Sequence, residues 1–351
     1  MEFADASLTR MGATLADIAA HAGVSEATVS RVLNDKPGVA QHKRQAVLTA
    51  LDLLGYERPA RLRRRTGRPV GLLLPELMNP VFPAFAQALG PNFARRGFTP
   101  LIGSQSEGGL DEDEYIDMFV EAGAAGIVFF SGRHSDSRFP MDRYTQLLEL
   151  GLPLAFVNGY RADIDAPFFS IDEHSAMELA VRHLTAMGHR RIGLAVGQES
   201  FVAAQRKSEG FHSAMKKHAG DEARAVIEPS LYTDDGGISA GRALIAAGCT
   251  AVVCANDLIA VGVMAEARRQ GLEIPQDLSV VGFDDSVIAR NAWPPLTTVR
   301  QPVTAMGVAI ADAFVGEMNG VRASRTEYLF QPELVVREST GPAYGTRRHN
   351  G

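Results

Sequence analysis

Short apolar segments alternate with helical segments along most of the chain from Val70 to Phe283. Each apolar segment has the length of a buried strand, and the segments between them show the apolar spacing of helices. Because parallel strands need a long crossover, usually a helix, this alternation predicts a doubly wound parallel α/β sheet. The predicted strands are Val70–Leu74, Thr99–Gly103, Gly126–Phe130, Leu154–Val157, Arg191–Val196, Ala251–Cys254 and Ser279–Phe283.

The helices between these strands fall into two groups of similar size, so we expect two α/β lobes with a cleft between them. The predicted helices are Asn79–Arg96, Asp111–Ala122, Tyr144–Leu150, Ser175–Met187, Gln205–His218, Ile238–Ala247 and Ile259–Gln270.

Ligands bind such sheets beyond the carboxyl ends of the strands. This rule selects Asn79 and Phe82 after the first strand, Asn158 after the fourth, Asn256 after Cys254, and Asp284 after Phe283. Asp257 and Asp285 occupy similar positions, but we interpret both as helix caps and leave them out of the candidate site.

The stretch from Thr14 to Asn34 predicts two short helices joined by a tight turn. Thr14 is a suitable N-cap with Asp17 as its capping-box acid, Gly23 suits the turn, and Ser25 caps the second helix. The residues expected to face inward are Ile18, Ala19, Ala22, Val24, Val29 and Leu33. Such a pair of helices fits the DNA major groove when its outer face is polar; a hairpin used only for packing is the alternative.

A third helix is expected over Gln41–Leu54, with an apolar stripe from Val47 to Leu54. His42, Lys43 and Arg44 lie in its first turn, where the helix dipole disfavours cations. They form either a solvated basic surface or a phosphate contact.

Charge is divided unevenly along the 351 residues. Residues 1–68 carry 11 Lys and Arg against 7 Asp and Glu, whereas the remaining residues carry 24 against 34. A small basic head on an acidic body is expected when only the head meets nucleic-acid phosphate.

The run TLADIAAHAGVSEATVSRVLN, Thr14 to Asn34, resembles the DNA-binding head of the LacI family of bacterial transcription regulators. On the second helix, Glu26, Ala27 and Arg31 match the base-reading positions of that family. The residues that we expect to contact DNA are Thr14, Ser25, Glu26, Ala27, Thr28, Ser30, Arg31, Asn34, Arg44, Arg61 and Leu62.

The linker Tyr56–Arg68 contains six arginines and no core pattern. The family resemblance implies a hinge helix that orders on DNA, with Leu62 as the residue that wedges into the minor groove beside Arg61. A flexible basic tether that binds phosphate nonspecifically is the alternative.

The later part of the chain, Val70 to about Arg337, resembles the periplasmic sugar-binding protein fold, and Val280–Pro302 resembles the effector-lobe signature of the same family. The resemblance implies that Asn256, Asp284 and Gln301 contact the effector, and that Lys207 occupies the place of a family arginine. The whole expected set is Asn79, Phe82, Asn158, Arg206, Lys207, Asn256, Asp284, Trp293 and Gln301. For Trp293, a sugar-stacking platform and core packing both remain open.

These features predict a ligand-responsive DNA-binding regulator of the α/β class, in this family usually a repressor. A homodimer follows because one head reads half of a pseudo-palindromic site. Family habit favours a sugar over a purine as effector. A transport-associated sugar-binding protein and an enzyme are the alternatives, although the sequence shows no catalytic, metal-binding or cofactor motif.

The sequence has no apolar run of transmembrane length and no secretory leader, and Cys249 and Cys254 suggest buried thiols in a reducing cytoplasm. We expect a disordered tail over residues 1–13, in which Met11 is an alternative start. The DNA-binding domain is expected over 14–56, the hinge over 57–69, the sensor over 70–340 and a flexible tail over 341–351.

Overall fold

A computed structural model describes residues 14–54 apart from 35 and 37, 67–105, 108–220 and 223–343; the side chain of residue 52 is also outside it. The predicted N-terminal tail, Arg61 and Leu62 of the hinge, and residues 344–351 therefore lie outside the described residues. The chain divides into two compact units, Met1–Gly67 and Arg68–Gly351.

The first unit contains three helices, α1 (Leu15–Ala22), α2 (Glu26–Leu33) and α3 (Gln41–Leu53). Thr14 and Asp17 form the expected capping box, and Gly23 ends α1 in the left-handed conformation at φ 65°. Ser25 caps α2 by accepting from the amide of Thr28. The shared core consists of Ile18, Ala19, Val29, Val32, Leu33, Val47, Ala50 and Leu51.

The second unit contains the predicted α/β sheets. Its strands are β1 (Arg68–Leu74), β2 (Phe98–Ser104), β3 (Ile127–Phe130), β4 (Leu154–Val157), β5 (Phe168–Ile171), β6 (Arg191–Val196), β7 (Arg224–Pro229), β8 (Ala251–Cys254), β9 (Ser279–Asp284), β10 (Thr297–Arg300), β11 (Glu327–Phe330) and β12 (Glu333–Val335). All seven predicted strands are present, which confirms the α/β class.

The helices of the second unit cover the faces of these sheets. They are α4 (Val81–Arg95), α5 (Glu112–Glu121), α6 (Asp142–Glu149), α7 (Glu173–Ala186), α8 (Val202–His218), α9 (Asp234–Ala246), α10 (Asp257–Arg269), α11 (Val287–Asn291) and α12 (Val303–Met318).

Within the described part of the chain, the strands form two six-stranded sheets, in the orders β11-β5-β4-β3-β1-β2 and β12-β10-β9-β8-β6-β7. All pairings are parallel except β10 with β12. We call the first sheet with its helices the first lobe and the second sheet with its helices the second lobe. The chain crosses between the lobes after β5, after β10 and after β11, so three connecting segments join the two lobes.

Aliphatic and aromatic side chains on both faces of each sheet form the cores, as expected for parallel strands that are buried on both sides. Both cysteines are buried free thiols in the second lobe, as predicted. Gly341 and Ala343, at the start of the predicted tail, are hydrogen-bonded to Ser279 and Met187. Among the described residues, no helix has the length and apolarity needed to cross a bilayer.

Candidate functional site

The outer face of α2 presents polar and small side chains to solvent. Glu26, Ala27 and Arg31 are exposed, whereas Val29, Val32 and Leu33 on the opposite face are buried. Asn34 follows the helix, and its Nδ2 donates to the carbonyl of Ser30 at 2.8 Å. The helix is therefore fixed by its apolar face, which leaves the polar face available to a partner.

Thr14 and Ser25, predicted to contact DNA, have a structural role in the first unit. The Thr14 backbone amide donates to Asp17 Oδ2 at 2.8 Å, and the Thr14 hydroxyl donates to the same oxygen at 2.7 Å. Thr28 Oγ1 lies 3.0 Å from Ser25 Oγ. All three side chains remain at least partly accessible, so capping leaves their outer atoms at the surface.

The basic first turn of α3 lies at the surface, with His42 and Lys43 exposed and Arg44 half-buried. Arg44 Nη2 donates to the carbonyl of Lys36 at 3.4 Å, which connects the start of α3 to the loop after α2.

A cavity of about 190 Å³ lies in the second unit between the two lobes, at the carboxyl ends of both sheets. Seven of the nine predicted effector residues line it. They are Asn79, Phe82, Asn158, Lys207, Asn256, Asp284 and Gln301. The lining residues that sequence reasoning did not place in the site include Glu76, Phe85, Ser131, Tyr232 and Phe283.

Three cavity residues have left-handed backbone conformations although none is glycine. The φ angles are 40° at Ser131, 63° at Asn158 and 109° at Asp284. Each directly follows a strand or ends one, namely β3, β4 and β9. Such conformations cost of order 1–3 kcal/mol each and concentrate at functional sites, so they mark this edge of the sheets independently of the side chains.

Asp284 is the acidic centre of the cavity and is 7% exposed. Gln301 Nε2, from the crossover after β10, donates to its Oδ1 at 2.6 Å. Burial is the main cause that raises the pKa of Asp284 to about 8, and the negative charge of Asp257 adds to it; Gln301, Lys207 and Asn79 oppose the shift. The carboxyl group is therefore able to donate or accept a hydrogen bond near neutral pH.

Lys207 is the basic residue of the cavity, and its side chain is almost completely buried. Its Nζ lies 4.2 Å from the centre of the Phe283 ring, within cation–π distance. Burial lowers the pKa of Lys207, while the negative charges of Glu173 and Asp284 act in the opposite direction. Two carboxyl groups, those of Glu173 and Asp284, are therefore close enough to act on the ammonium charge in the protein alone.

Two amide side chains at the cavity hold acceptor oxygens without a protein partner. Asn158 Nδ2 donates to Ser131 Oγ at 3.1 Å, but its Oδ1 is buried and accepts from no group. Gln301 Oε1 is likewise buried and unpartnered. A buried acceptor that makes no hydrogen bond is costly, so both oxygens favour a ligand that brings donors.

Arg206 and Trp293 do not line the cavity. Arg206 points away from it because its guanidinium group pairs with Glu327 of the first lobe. Trp293 is 78% exposed in the loop after α11, so it is neither a cavity wall nor a core residue.

The helix caps differ from those expected from the sequence. Asn256, not Asp257, caps α10, and its Oδ1 accepts from the Ile259 amide at 2.8 Å. Asp257 is buried behind the cavity, where Thr298 Oγ1 and the Ser286 amide donate to it. Asp285 caps no helix, since its carboxylate pairs with Arg300 and Arg337.

A capped pair of helices with a polar outer face, together with a two-lobed unit that encloses a polar cavity, defines a ligand-responsive, sequence-specific DNA-binding transcription regulator. Residues 14–59 match the family described as "Bacterial regulatory proteins, lacI family", and residues 181–340 match the "Periplasmic binding protein-like domain". The chain belongs to the LacI family.

Two similar proteins are regulators from Streptomyces. The HTH-type transcriptional regulator reg1 of Streptomyces lividans is 53% identical over 96% of this chain and 99% of its own length. MalR of Streptomyces coelicolor is 52% identical, with the same two coverages. A solved structure described as the transcriptional regulator CelR–cellobiose complex is 28% identical and has a TM-score of 0.68, covering 93% of this chain and 99% of that one. Because these relatives are regulators, the chain is a DNA-binding regulator and not an enzyme.

Proposed function

We propose that this protein is a homodimeric cytoplasmic repressor of carbohydrate-utilisation genes, and that a small neutral sugar in the cavity modulates its binding to the operator. The observation that carries the sugar assignment is the set of acceptors around the cavity, namely Asn158 Oδ1, Gln301 Oε1 and the carboxyl group of Asp284. Adjacent hydroxyl groups of a sugar supply donors to the two unpartnered amide oxygens and to the Asp284 carboxyl group, which already accepts from Gln301.

The walls of the cavity fit the same ligand class. Phe82, Phe85, Phe201, Tyr232 and Phe283 contribute aromatic surface to the lining. Pockets for small molecules combine such apolar walls with a few placed polar groups that fix orientation. Aromatic walls suit the C–H faces of a sugar ring, and an apolar volume of about 150 Å³ is already enough to hold benzene. The volume of about 190 Å³ therefore suits a ring-sized group.

The charges at the cavity favour a neutral sugar over a phosphorylated one. The negative charges of Glu173 and Asp284 act on Lys207, and Glu76 is a further acidic residue of the lining. No arginine is among the lining residues of this described cavity. A phosphate group would meet carboxyl groups without the bidentate arginine partner that such groups usually have.

Operator reading is assigned to the exposed face of α2. Arg31 is suited to donate to a guanine and Glu26 to accept from a cytosine amino group, while the small Ala27 permits close approach to the bases. Ser30 and Asn34 extend the same face. Phosphate contacts are assigned to Thr14, Ser25, Thr28 and Arg44, and the minor-groove contact to Arg61 and Leu62 of the hinge.

Two heads are needed because one α2 reads half of a pseudo-palindromic operator. We assign residues 14–56 to the reading head, 57–69 to the hinge and 70–340 to the sensor. A sugar that favours one arrangement of the lobes changes the spacing of the two hinges in the dimer. It shifts operator binding only by its difference in affinity for the two arrangements.

A mobility-shift experiment tests this proposal with the full chain and DNA from upstream of its own gene, at physiological salt. The probes are glucose, maltose, cellobiose, glucose 6-phosphate and adenine. We expect a specific shift that one of the neutral sugars changes by 5-fold or more, roughly the lower bound of ordinary allosteric coupling, and that glucose 6-phosphate and adenine leave unchanged. A response to glucose 6-phosphate or adenine alone would contradict the assignment of a neutral sugar.

A further inference from the structure

The start of α8 belongs to the second lobe but contacts the first. Ala204, Phe211 and Met215 of this helix are part of the second-lobe core. Immediately before the helix, the carbonyl of Ser200 accepts from the amide of Ser137 at 2.8 Å, and Ser137 lies in a first-lobe loop after β3. The next residue, Phe201, both lines the cavity and pairs with Asp136 through an isolated β-bridge.

Arg206 makes a second contact between the lobes, one turn further along α8. Its Nη1 and Nη2 donate to the two carboxylate oxygens of Glu327 at 2.6 and 3.0 Å. Glu327 lies on β11, the edge strand of the first sheet. The guanidinium carbon is 6.0 Å from the ring centre of Tyr160, which packs on the first-lobe core. Both partners are largely buried, so the bidentate pair is stronger than an exposed one.

Glu173 connects this pair to the cavity. It begins α7, directly after the first crossover between the lobes, and is 2% exposed. Its Oε2 accepts no hydrogen bond and lies 3.9 Å from Arg206 Nη1, while its charge also acts on Lys207. Arg206 and Lys207 are adjacent in sequence, so Glu173 is shared by one cation that faces the first lobe and one that faces the cavity.

Acidic and basic groups therefore alternate from the edge of the first sheet to the cavity, in the order Glu327, Arg206, Glu173, Lys207 and Asp284. We propose that the pair of Arg206 and Glu327 is a latch that holds the two lobes in the arrangement seen here, and that Glu173 transmits the state of Lys207 to it. This inference rests on the proposed function of the cavity. In this assignment Arg206 is a positioning residue, not an effector ligand.

The direction of the coupling follows from competition for Glu173. While the charge of Lys207 acts on Glu173, Arg206 engages Glu327 with both nitrogens. Loss of the Lys207 charge strengthens the attraction between Glu173 and Arg206 Nη1, which lies 3.9 Å from Glu173 Oε2, and so draws Arg206 away from Glu327. Ligand contacts that reposition Lys207 change the latch by the same route, and a small local change is then expressed as a change in lobe position.

Hydrogen exchange of the full chain without any sugar tests the latch. The readout is the amide of Ser137, followed in short peptides by mass spectrometry, and the amide of Val281 in the second sheet reports global unfolding. We expect R206Q and E327Q each to speed exchange at Ser137 by about tenfold while Val281 is much less affected. The double variant should exchange no faster than either single variant, since both remove the same pair.

R322Q is the matched control, because Arg322 pairs with Asp165 at 2.8 Å in an exposed position within the first lobe. It should leave Ser137 exchange unchanged. The latch proposal would be overturned if Ser137 exchanged at the wild-type rate in R206Q or E327Q. It would also be overturned if exchange at Ser137 and Val281 accelerated equally.

A second cycle tests the role of Glu173, again without sugar. K207M should speed exchange at Ser137 by about 3- to 10-fold, and it should have no further effect in an E173Q background because the shared carboxylate is gone. If K207M had the same effect on Ser137 exchange in the wild-type and E173Q backgrounds, or no effect in either, Glu173 would not transmit the state of Lys207 to the latch. Since neither cycle contains a sugar, failure of the proposed effector class would appear separately, in the mobility-shift experiment.

Discussion

Replacing Arg31 with alanine is expected to weaken specific operator binding by at least about 30-fold and to leave the sensor unchanged. Arg31 is exposed on the last turn of α2, away from the apolar face that holds the helix. A good bidentate contact between arginine and guanine discriminates by about 1–3 kcal/mol, and a dimer loses two of them. The measurement is a titration of operator and random duplex with wild-type protein and Arg31→Ala at several salt concentrations.

Lys43→Ala gives the contrast, because Lys43 is exposed at the start of α3 and is suited to phosphate. That variant should weaken binding to operator and random duplex alike. The slope of log binding constant against log salt concentration should become shallower by about 1 per subunit. Sugar-induced thermal shifts should be the same in all three proteins. Equal operator affinity of Arg31→Ala and wild type would refute the base-reading assignment.

The sequence predicts the regular parts of this fold well because their signals are local. The seven predicted strands are continuous apolar runs, as in β8 and β9, which are buried on both faces. Five strands escaped prediction. Three of them, β7, β11 and β12, are partly buried edge strands, whereas β5 and β10 are buried inner strands of four residues each. An edge strand is defined by its neighbour in space, and sequence periodicity does not contain that information.

Helix starts in the second lobe were predicted two to four residues late. α9 begins at Asp234 and α8 at Val202, whereas the apolar spacing indicated Ile238 and Gln205. First turns carry acids, glycines and caps in place of apolar residues, so periodicity alone places the start too far along the chain. In α9 the cap is Thr233, which accepts from the amide of Gly236.

The sequence identifies cavity residues that directly follow a strand. It is less successful for residues whose orientation depends on packing between elements. Asn79, Asn158, Asn256 and Asp284 all follow or end a strand and line the cavity. Ser131 directly follows β3, so the same rule applied once more would have selected it. The rule does not distinguish Arg206 from Lys207, because adjacent helix residues point about 100° apart and only the lobe contacts decide which one faces the cavity.

Replacing Asp284 with asparagine is expected to raise the stability of the protein and to weaken its response to the effector. The pKa of Asp284 is raised from 3.8 to about 8, chiefly by burial. Between these values the unfolded chain has lost the proton that the folded chain keeps. The unfolding free energy therefore falls as pH rises from about 4 to about 8, and asparagine removes this penalty.

The stability gain of Asp284→Asn should thus be absent near pH 4 and greatest at pH 8 and above. We expect the midpoint of thermal unfolding to rise by roughly 2–6 °C at pH 8, which corresponds to about 1–2 kcal/mol. Asparagine keeps an oxygen for Gln301 and tolerates the left-handed φ of 109°, so the variant introduces little strain of its own. Thermal unfolding at pH 4, 6 and 8 makes the comparison.

Although Asp284→Asn should raise stability, it should lower affinity for the effector. The asparagine amide cannot ionise to the charged acceptor that sugar hydroxyl groups favour. We expect sugar affinity to fall by about 10- to 100-fold, the range for loss of a hydrogen bond to a charged group. Asp285→Asn is the neighbouring control: its carboxylate pairs with Arg300 and Arg337 outside the cavity, so that variant should lose stability and keep its sugar affinity. A stabilised Asp284→Asn with unchanged sugar affinity would place the effector elsewhere. If Asp284→Asn is less stable than the wild type, the buried carboxyl group stabilises the folded protein and does not destabilise it.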